Sequence, residues 1–125
     1  MSEKVLTKTV AMPADTNPNG DIFGGWLLSQ MDVAGGILAK SEANGRVATV
    51  AIDSMKFLLP VKVGDTVTCY GRITRRGRTS LSINLRVTAQ SLNNNIPKDV
   101  TSGTFVYVAI DLEGKPRPLP LNTDD

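Results

Sequence analysis

The chain has 125 residues, of which 41% are hydrophobic, and its formal net charge is +2, so one soluble domain with a single core is expected. It contains no His, which excludes Ser-His and Cys-His catalysis. Its single Cys, Cys69, excludes an internal disulfide and fits the cytoplasm. One Cys and no His also leave too few ligands for a zinc site. The small net charge argues against a nucleic-acid partner, and no apolar run reaches the ~18 residues of a membrane span or forms an N-terminal signal core.

The first predicted element is a short strand from Val5 to Met12, followed by a polar loop from Ala14 to Asp21. From Gly24 to about Lys40 the chain reads "GGWLLSQMDVAGGILAK", a helix that is apolar on nearly every face. Such a helix is a buried one. Because one twisted sheet cannot cover its whole circumference, we expect a partner subunit, and the pair Gly35-Gly36 would let two helices meet closely.

Four strands are predicted after the helix, with a hairpin turn centred on Gly77. The clearest period-2 alternation in the chain lies in the third of them. The order of elements predicts an α+β class in which one antiparallel sheet packs on one helix, within a single domain over residues 1–125. The Pro-rich residues 113–125 are predicted to be a loose tail. The predicted strands are Val47–Leu59, Thr66–Thr74, Leu81–Gln90 and Thr104–Asp111.

Three segments carry a family resemblance: "AMPADTNPNGDIFGGWLLSQMDVAGGILAK", "GRVATVAIDSMKFLLPVKVGDTV" and "GRTS". From about Leu6 to Pro120 the chain resembles the hotdog-fold acyl-CoA thioesterases of the YciA type. The resemblance implies a five-stranded antiparallel sheet wrapped around one long central helix, and hydrolysis of acyl-CoA to free CoA and a carboxylic acid. It also implies homodimers with a joined sheet, often assembled as trimers of dimers. CoA is expected only as part of substrate and product, with no other cofactor.

The loop "DTNPNGDIFGGW" has more than one interpretation. Its oxygen-bearing residues and Gly20 match the first half of a calcium loop, but position 12 is Trp26 instead of a bidentate Glu, so no metal is predicted. The plain alternative is a set of turn residues before a helix. In the functional interpretation, unpaired N–H groups at the helix start form an oxyanion hole for the thioester. Those of Phe23, Gly24 and Gly25 are the candidates.

Asp32 lies in the most apolar part of the chain, where a carboxylate without partners is expensive to bury. The functional interpretation makes it the general base or the nucleophile, and the resemblance places the family's catalytic Asp at this "MD" position. The alternative is a helix residue satisfied by Ser29 or by a partner subunit.

Seven residues separate Asp32 from Gly25, about 10 Å along a helix, so one thioester carbon cannot easily reach both. We therefore expect Asp32 of one subunit to face the Gly24-Gly25 terminus of another, and a monomer to be inactive. The resemblance also places a catalytic amide at Asn17, which would orient the water or the carbonyl from the partner's half of the site.

Four arginines lie within seven residues around the turn at Gly77, and Arg forks suit phosphate, although a solvated hairpin is the plain alternative. In similar proteins this turn and the "SMKF" strand lie along the CoA groove. The acyl chain is expected against Trp26, Met31 and Ile22, which could equally belong to the core. The residues predicted to bind CoA are Arg78, Thr79, Ser80, Lys56 and Phe57.

Three other functions compete with hydrolysis as interpretations of the sequence. A non-catalytic acyl-CoA-binding hotdog protein would bind without turnover and would leave Asp32 without a reason. A hydratase or dehydratase usually needs a His base, which the chain lacks. A purely structural β-protein would not need "NGDIFGG" and "MD" together.

Overall fold

The computed structural model describes residues 2–121 of the chain. Its strands form one antiparallel sheet in the order β1-β3-β4-β5-β2, and the helix α1 packs against all five strands. This arrangement confirms the predicted α+β class, with five strands around one long helix. The elements are β1 Lys4–Val10, a short 3-10 turn Pro13–Asp15, α1 Gly24–Ala43, β2 Val47–Phe57, β3 Thr66–Arg76, β4 Ser80–Gln90 and β5 Lys98–Ala109.

The ends of two elements differ from the sequence prediction by three residues or more. β5 begins at Lys98, six residues before the predicted Thr104, because its polar first residues pair with the end of β4. Backbone pairing there overrides a composition that is typical of a loop. α1 continues to Ala43, and the next residue, Asn44, has a φ of 52°, the left-handed conformation common after a helix.

The core lies between α1 and the inner face of the sheet. β4 shows its organisation most simply, because every second residue from Leu81 to Val87 is buried. Spacings of three and four residues place one face of α1 against that layer. The buried helix residues include Leu27, Met31, Ala34 and Leu38.

The opposite face of α1 is exposed in the single chain, where Val33 is 59% and Ile37 49% accessible. A single subunit thus leaves one face of α1 uncovered, as expected of an apolar helix packed on one twisted sheet. Beside this face lies β2, an edge strand that exposes Val50 and Ile52. An apolar helix face next to an unpaired strand edge is a surface that another chain can cover. Within residues 2–121, no helix has the length and apolar character needed to cross a membrane.

The segment after β5 is hydrogen-bonded to the body of the protein, whereas the sequence predicts a loose tail there. The N–H of Arg117 donates to the carbonyl of Ala109 at 2.9 Å, and that of Leu119 donates to the carbonyl of Arg78 at 2.9 Å. These bonds fix the chain as far as residue 119. Residues 122–125 of the predicted tail lie outside the described residues.

Candidate active site

Asp32 lies in the middle of α1 and reaches two strands of the sheet. Its Oδ1 accepts hydrogen bonds from the Thr49 hydroxyl at 2.7 Å and the Tyr107 hydroxyl at 3.1 Å. Within residues 2–121, Oδ2 has no hydrogen-bond donor and the carboxylate has no cation within 4.0 Å. Neutral donors thus hold one oxygen and leave the other available to a water or a substrate.

The surroundings of Asp32 differ from the sequence prediction in two ways. The residue is half-buried, and it lines an open groove of about 260 Å³ together with Val33, Ile37 and Lys40. Ser29 does not satisfy it, because the Ser29 hydroxyl donates to a main-chain carbonyl one turn earlier in α1, at 2.8 Å. That part of the structural alternative is wrong, and the partners of Asp32 come from the sheet.

Tyr107 and Thr49 are the site residues that sequence reasoning missed. Tyr107 is 1% exposed, and burial together with the neighbouring Asp32 charge raises the pKa of its phenol well above the ordinary value of 10.0. The phenol therefore remains a hydrogen-bond donor across the neutral range. A tyrosine in a strand that is apolar on both faces does carry a signal, since a buried hydroxyl needs a partner. Thr49 carries none, because Thr is common in strands.

The start of α1 presents free backbone donors. The Phe23 N–H donates to the carbonyl of Asp15 at 2.9 Å, and the Trp26 N–H donates to the carbonyl of Phe23 at 3.1 Å. In the described part of the chain, the N–H groups of Gly24 and Gly25 have no acceptor, and no side chain caps the helix. Of the three predicted donors, Phe23 is thus engaged, while the two glycines can receive an oxyanion.

Asn17 organises the loop before α1. Its Oδ1 accepts hydrogen bonds from the N–H groups of Asn19 at 2.9 Å and Asp21 at 3.1 Å. This side-chain oxygen thus faces backbone donors and not a cation. Among residues 2–121, no three His, Cys, Asp or Glu side chains converge as metal ligands would. The side chain is half-buried, and its NH₂ group has no acceptor in that range. This amide can therefore donate to a bound carbonyl or water.

A groove of about 320 Å³ runs past the start of α1, and Asn17, Gly24 and Phe57 contribute to its walls. The Phe57 ring lies directly over Gly24, where an added Cβ would stand 3.3 Å from a ring carbon. Of the residues expected to meet the acyl chain, Ile22 lines this groove. Met31 is fully buried in the core, so its predicted contact with the acyl chain has no support in a single subunit.

The two halves of the predicted chemistry occupy different grooves of one chain. Asn17 and Gly24 line the groove at the helix start, whereas Asp32 lines the groove beside Ile37 on the exposed helix face. Gly25 and Asp32 are about 10 Å apart along the helix axis. One chain therefore does not bring the carboxylate to the free N–H groups.

The predicted CoA-binding residues also separate into two places. Thr79 and Ser80 follow Arg78 at the β3-β4 turn, whereas Lys56 and Phe57 end β2. Ser80 and Lys56 pair with positions of β5 that are six residues apart, about 20 Å along the strand. Arg78 is exposed and has no ion pair within residues 2–121. Its neighbour Arg76 is committed to Glu42 at 3.2 Å, so Arg78 is the better phosphate ligand.

Comparisons with known proteins agree on one family. A model of the thioesterase superfamily matches residues 19–94. The chain is 54% identical over 121 residues to the acyl-CoA thioester hydrolase YciA of Salmonella typhimurium strain LT2, covering 94% of this chain and 91% of that protein.

Two of the solved structures that share the fold illustrate the similarity. One is a point mutant of HI0827, a hexameric broad-specificity acyl-coenzyme A thioesterase, with a TM-score of 0.93 and 45% identity over 98% of this chain and 90% of that one. The other is the hexameric thioesterase y2039 from Yersinia pestis, with a TM-score of 0.91 and 51% identity over 95% of this chain and 97% of that one. The single long helix and five-stranded sheet are thus those of the hotdog thioesterases.

Proposed function

The chain belongs to the thioesterase superfamily, and from this premise we propose how it works as an acyl-CoA thioester hydrolase that releases free CoA and a carboxylic acid. The observation that carries the mechanism is the hydrogen bonding of the Asp32 carboxylate. One carboxylate oxygen is held by two neutral hydroxyls, and the other is free of partners in residues 2–121. A positioned, unpaired carboxylate oxygen is what a hydrolytic base or nucleophile requires.

The free oxygen of Asp32 supports two routes to the same products. As a base, it takes a proton from water while the water oxygen bonds to the thioester carbon; the tetrahedral intermediate then breaks its C–S bond, and the CoA thiolate recovers the proton. As a nucleophile, it bonds to the carbon itself, expels the thiolate and leaves an anhydride for water to cleave. Both routes build negative charge on the former carbonyl oxygen.

Gly24 and Gly25 supply the donors for that charge. Their N–H groups lie at the positive end of the helix dipole, and the lack of a side chain lets a carbonyl approach closely. The Asn17 amide would orient the attacking water or the carbonyl from the same groove. This assignment explains why an apolar helix starts with two glycines and no capping side chain.

A complete site needs two subunits, because a single chain keeps Asp32 and the free N–H groups in separate grooves. In a homodimer, Asp32 of one subunit would face Gly24 and Gly25 of its partner. The partner would also cover the apolar surface formed by Val33 and Ile37 and the open edge of β2. Since HI0827 and y2039 are hexameric, we propose a trimer of such dimers.

The rest of the site follows from the same arrangement. CoA would lie between the cationic turn and the end of β2, which come together only across subunits. We propose that the reaction uses no cofactor and takes place in the cytoplasm, where acyl-CoA is available. The proposed CoA ligands are Arg78, Thr79, Ser80, Lys56 and Phe57.

A thiol-release assay with a panel of acyl-CoAs tests the mechanism. Wild-type protein should turn over, and Asp32→Ala should lose turnover by about 10²-fold or more. A non-catalytic acyl-CoA-binding protein would instead bind the panel without releasing thiol. Near-full turnover in Asp32→Ala would overturn the assignment of the base.

Mixing two inactive variants tests the shared site. If Asp32→Ala and Asn17→Ala subunits are unfolded together and refolded as a mixture, random pairing should make about a quarter of the sites intact, because half of the dimers are mixed and each has one undamaged site. Refolding each variant alone is the control. A mixture that stays as inactive as its components would show that both residues act within one chain.

A further inference from the structure

We propose that Tyr107 is a positioning residue for Asp32, and that position 35 must be glycine because the Tyr107 hydroxyl occupies the space of its missing side chain. This inference rests on the proposed role of Asp32 and adds a residue to it. Tyr107 comes from β5, far along the chain from α1. Its hydroxyl lies 3.1 Å from Oδ1 of Asp32 and 3.0 Å from the carbonyl oxygen of the same residue.

The space at position 35 determines whether the tyrosine can reach that place. A Cβ added to Gly35 would stand 2.3 Å from the Tyr107 hydroxyl oxygen and 2.9 Å from the ring carbon that bears it. At the adjacent Gly36, an added Cβ would meet nothing within 4 Å. The sequence suggested that this glycine pair lets two helices meet. The structure instead uses Gly35 to admit a side chain from the sheet.

The contact defines the orientation of the carboxylate. The terminal torsion of an Asp side chain is broad, so its two oxygens are not distinguished by rotamer preference. Tyr107 and Thr49 both donate to Oδ1, which fixes the carboxylate plane and leaves Oδ2 for the reaction. The Tyr107 hydroxyl also lies 3.0 Å from the main-chain carbonyl oxygen of Asp32, so one group contacts both the side chain and the backbone of Asp32.

Tyr107 is better suited to this role than Thr49. Its ring is 1% exposed and stacks against Phe105, with 6.5 Å between ring centroids. Thr49, by contrast, is exposed on the edge strand β2. A donor locked by core packing within one subunit is held rigidly before any partner covers the edge of β2. The raised pKa of the phenol keeps this donor protonated across the neutral range.

The test is a double-mutant cycle between Tyr107→Phe and Asp32→Asn. Phe preserves the ring packing, so Tyr107→Phe should lower kcat by about 10-fold, the usual effect of a hydrogen bond to a charged group, with KM changed less than about twofold. In the Asp32→Asn background the same substitution should have no further effect, because the carboxylate it positions is gone. A merely structural role would produce the same fold loss in both backgrounds and would overturn the proposal.

The cycle separates this inference from the proposed function. If Asp32→Asn remains fully active, the proposed function fails. If Asp32→Asn is inactive while Tyr107→Phe keeps wild-type kcat, only the positioning role fails.

A measurement without a change at position 107 gives independent evidence. The chain has two tyrosines, so protein labelled with 3-fluorotyrosine should give two ¹⁹F resonances. Asp32→Asn should shift the resonance of Tyr107 and leave that of Tyr70 unchanged. A Tyr107 resonance that ignores Asp32→Asn would overturn the proposed contact, even if Tyr107→Phe did not fold.

Discussion

Two polar networks lie on opposite faces of the sheet, and each is built around one charged residue. On the inner face, Asp32 accepts hydrogen bonds from the hydroxyls of Thr49 and Tyr107. On the outer face, Arg86 donates to both carboxylate oxygens of Glu3 at 2.9 and 3.0 Å, and to Asp99 at 2.7 Å. Its guanidinium also lies 4.3 Å from the centre of the Tyr70 ring.

The difference lies in what each network leaves unused. Arg86 has two carboxylates as partners, and its hydrogen bonds to Glu3 and Asp99 raise its pKa further while lowering the pKa of Glu3. The charge of Arg86 is thus compensated within this network and is not free to meet a ligand. Among the described residues 2–121, Asp32 is held only by neutral donors, so its position is fixed while its charge and one oxygen remain available. Charge that is held but not neutralised distinguishes the proposed catalytic group from a structural one.

The strongest test of this comparison removes one carboxylate from each network. Asp32→Asn should reduce acyl-CoA turnover by about 10²-fold or more, because the amide neither accepts a proton nor attacks the thioester. Asp99→Asn is the matched control and should leave kcat unchanged, since Arg86 keeps Glu3. Steady-state thiol release measures both. Equal losses in the two variants would remove the distinction between the networks.

The second largest effect is expected at Gly35, whose missing side chain leaves room for the Tyr107 hydroxyl. Gly35→Ala should destabilise the protein by about 1–3 kcal/mol, as overpacking does, because the new methyl group overlaps the Tyr107 hydroxyl. Gly36→Ala, with open space at its Cβ, should cost less. Urea unfolding gives both values. The penalty at Gly35 should also shrink in a Tyr107→Phe background, and a penalty that stays the same would implicate some other neighbour.

At alkaline pH, the free energy of unfolding should depend on Tyr107 on the inner face but not on Tyr70 on the outer face. The folded-state pKa of Tyr107 is raised by burial and by Asp32, so the unfolded chain releases this proton first. Stability is therefore complete below the unfolded pKa of about 10 and falls as pH rises toward the folded value, by up to about 1.4 kcal/mol per pH unit. Tyr107→Phe should flatten this fall in unfolding free energy, whereas Tyr70→Phe, on the outer face, should not. Identical slopes in both variants would contradict the burial of the phenol.

The smallest effect is expected on the outer face. Arg86 lowers the pKa of Glu3, so the contribution of Glu3 to stability is present above its unfolded pKa and disappears as pH falls through the lower folded value. Because the pair is partly exposed, Glu3→Gln should cost below about 1 kcal/mol at pH 7 and less than that at pH 3. Urea unfolding at both pH values checks this. A larger cost at pH 3 than at pH 7 would reverse the sign of the linkage.

Local sequence patterns were sufficient for most of the fold. The alternation from Leu81 to Gln90 predicts β4, and the apolar run from Gly24 predicts α1, because both patterns follow directly from side-chain periodicity. The first residues of β5 were missed, since Lys98 and Asp99 join the sheet only through pairing with β4. That pairing is a tertiary property without a local signal.

The candidate site was predictable where a residue contradicts its surroundings. Asp32 is conspicuous as a carboxylate in an apolar helix, and Gly24 and Gly25 as glycines at a helix start. Thr49 and Tyr107 were missed because each is ordinary in a strand and becomes notable only when the fold brings it to Asp32. The occupation of the Phe23 N–H likewise depends on how the preceding loop folds back.

The overlap between Gly35 and the Tyr107 hydroxyl also constrains how the sequence can change. Two positions on different elements share the volume of a single methyl group, so neither can be enlarged independently of the other. A lineage that acquires alanine at position 35 must first, or at once, accept a smaller side chain at position 107. It then loses a donor to the carboxylate, so drift at one site becomes a change in catalysis at the other.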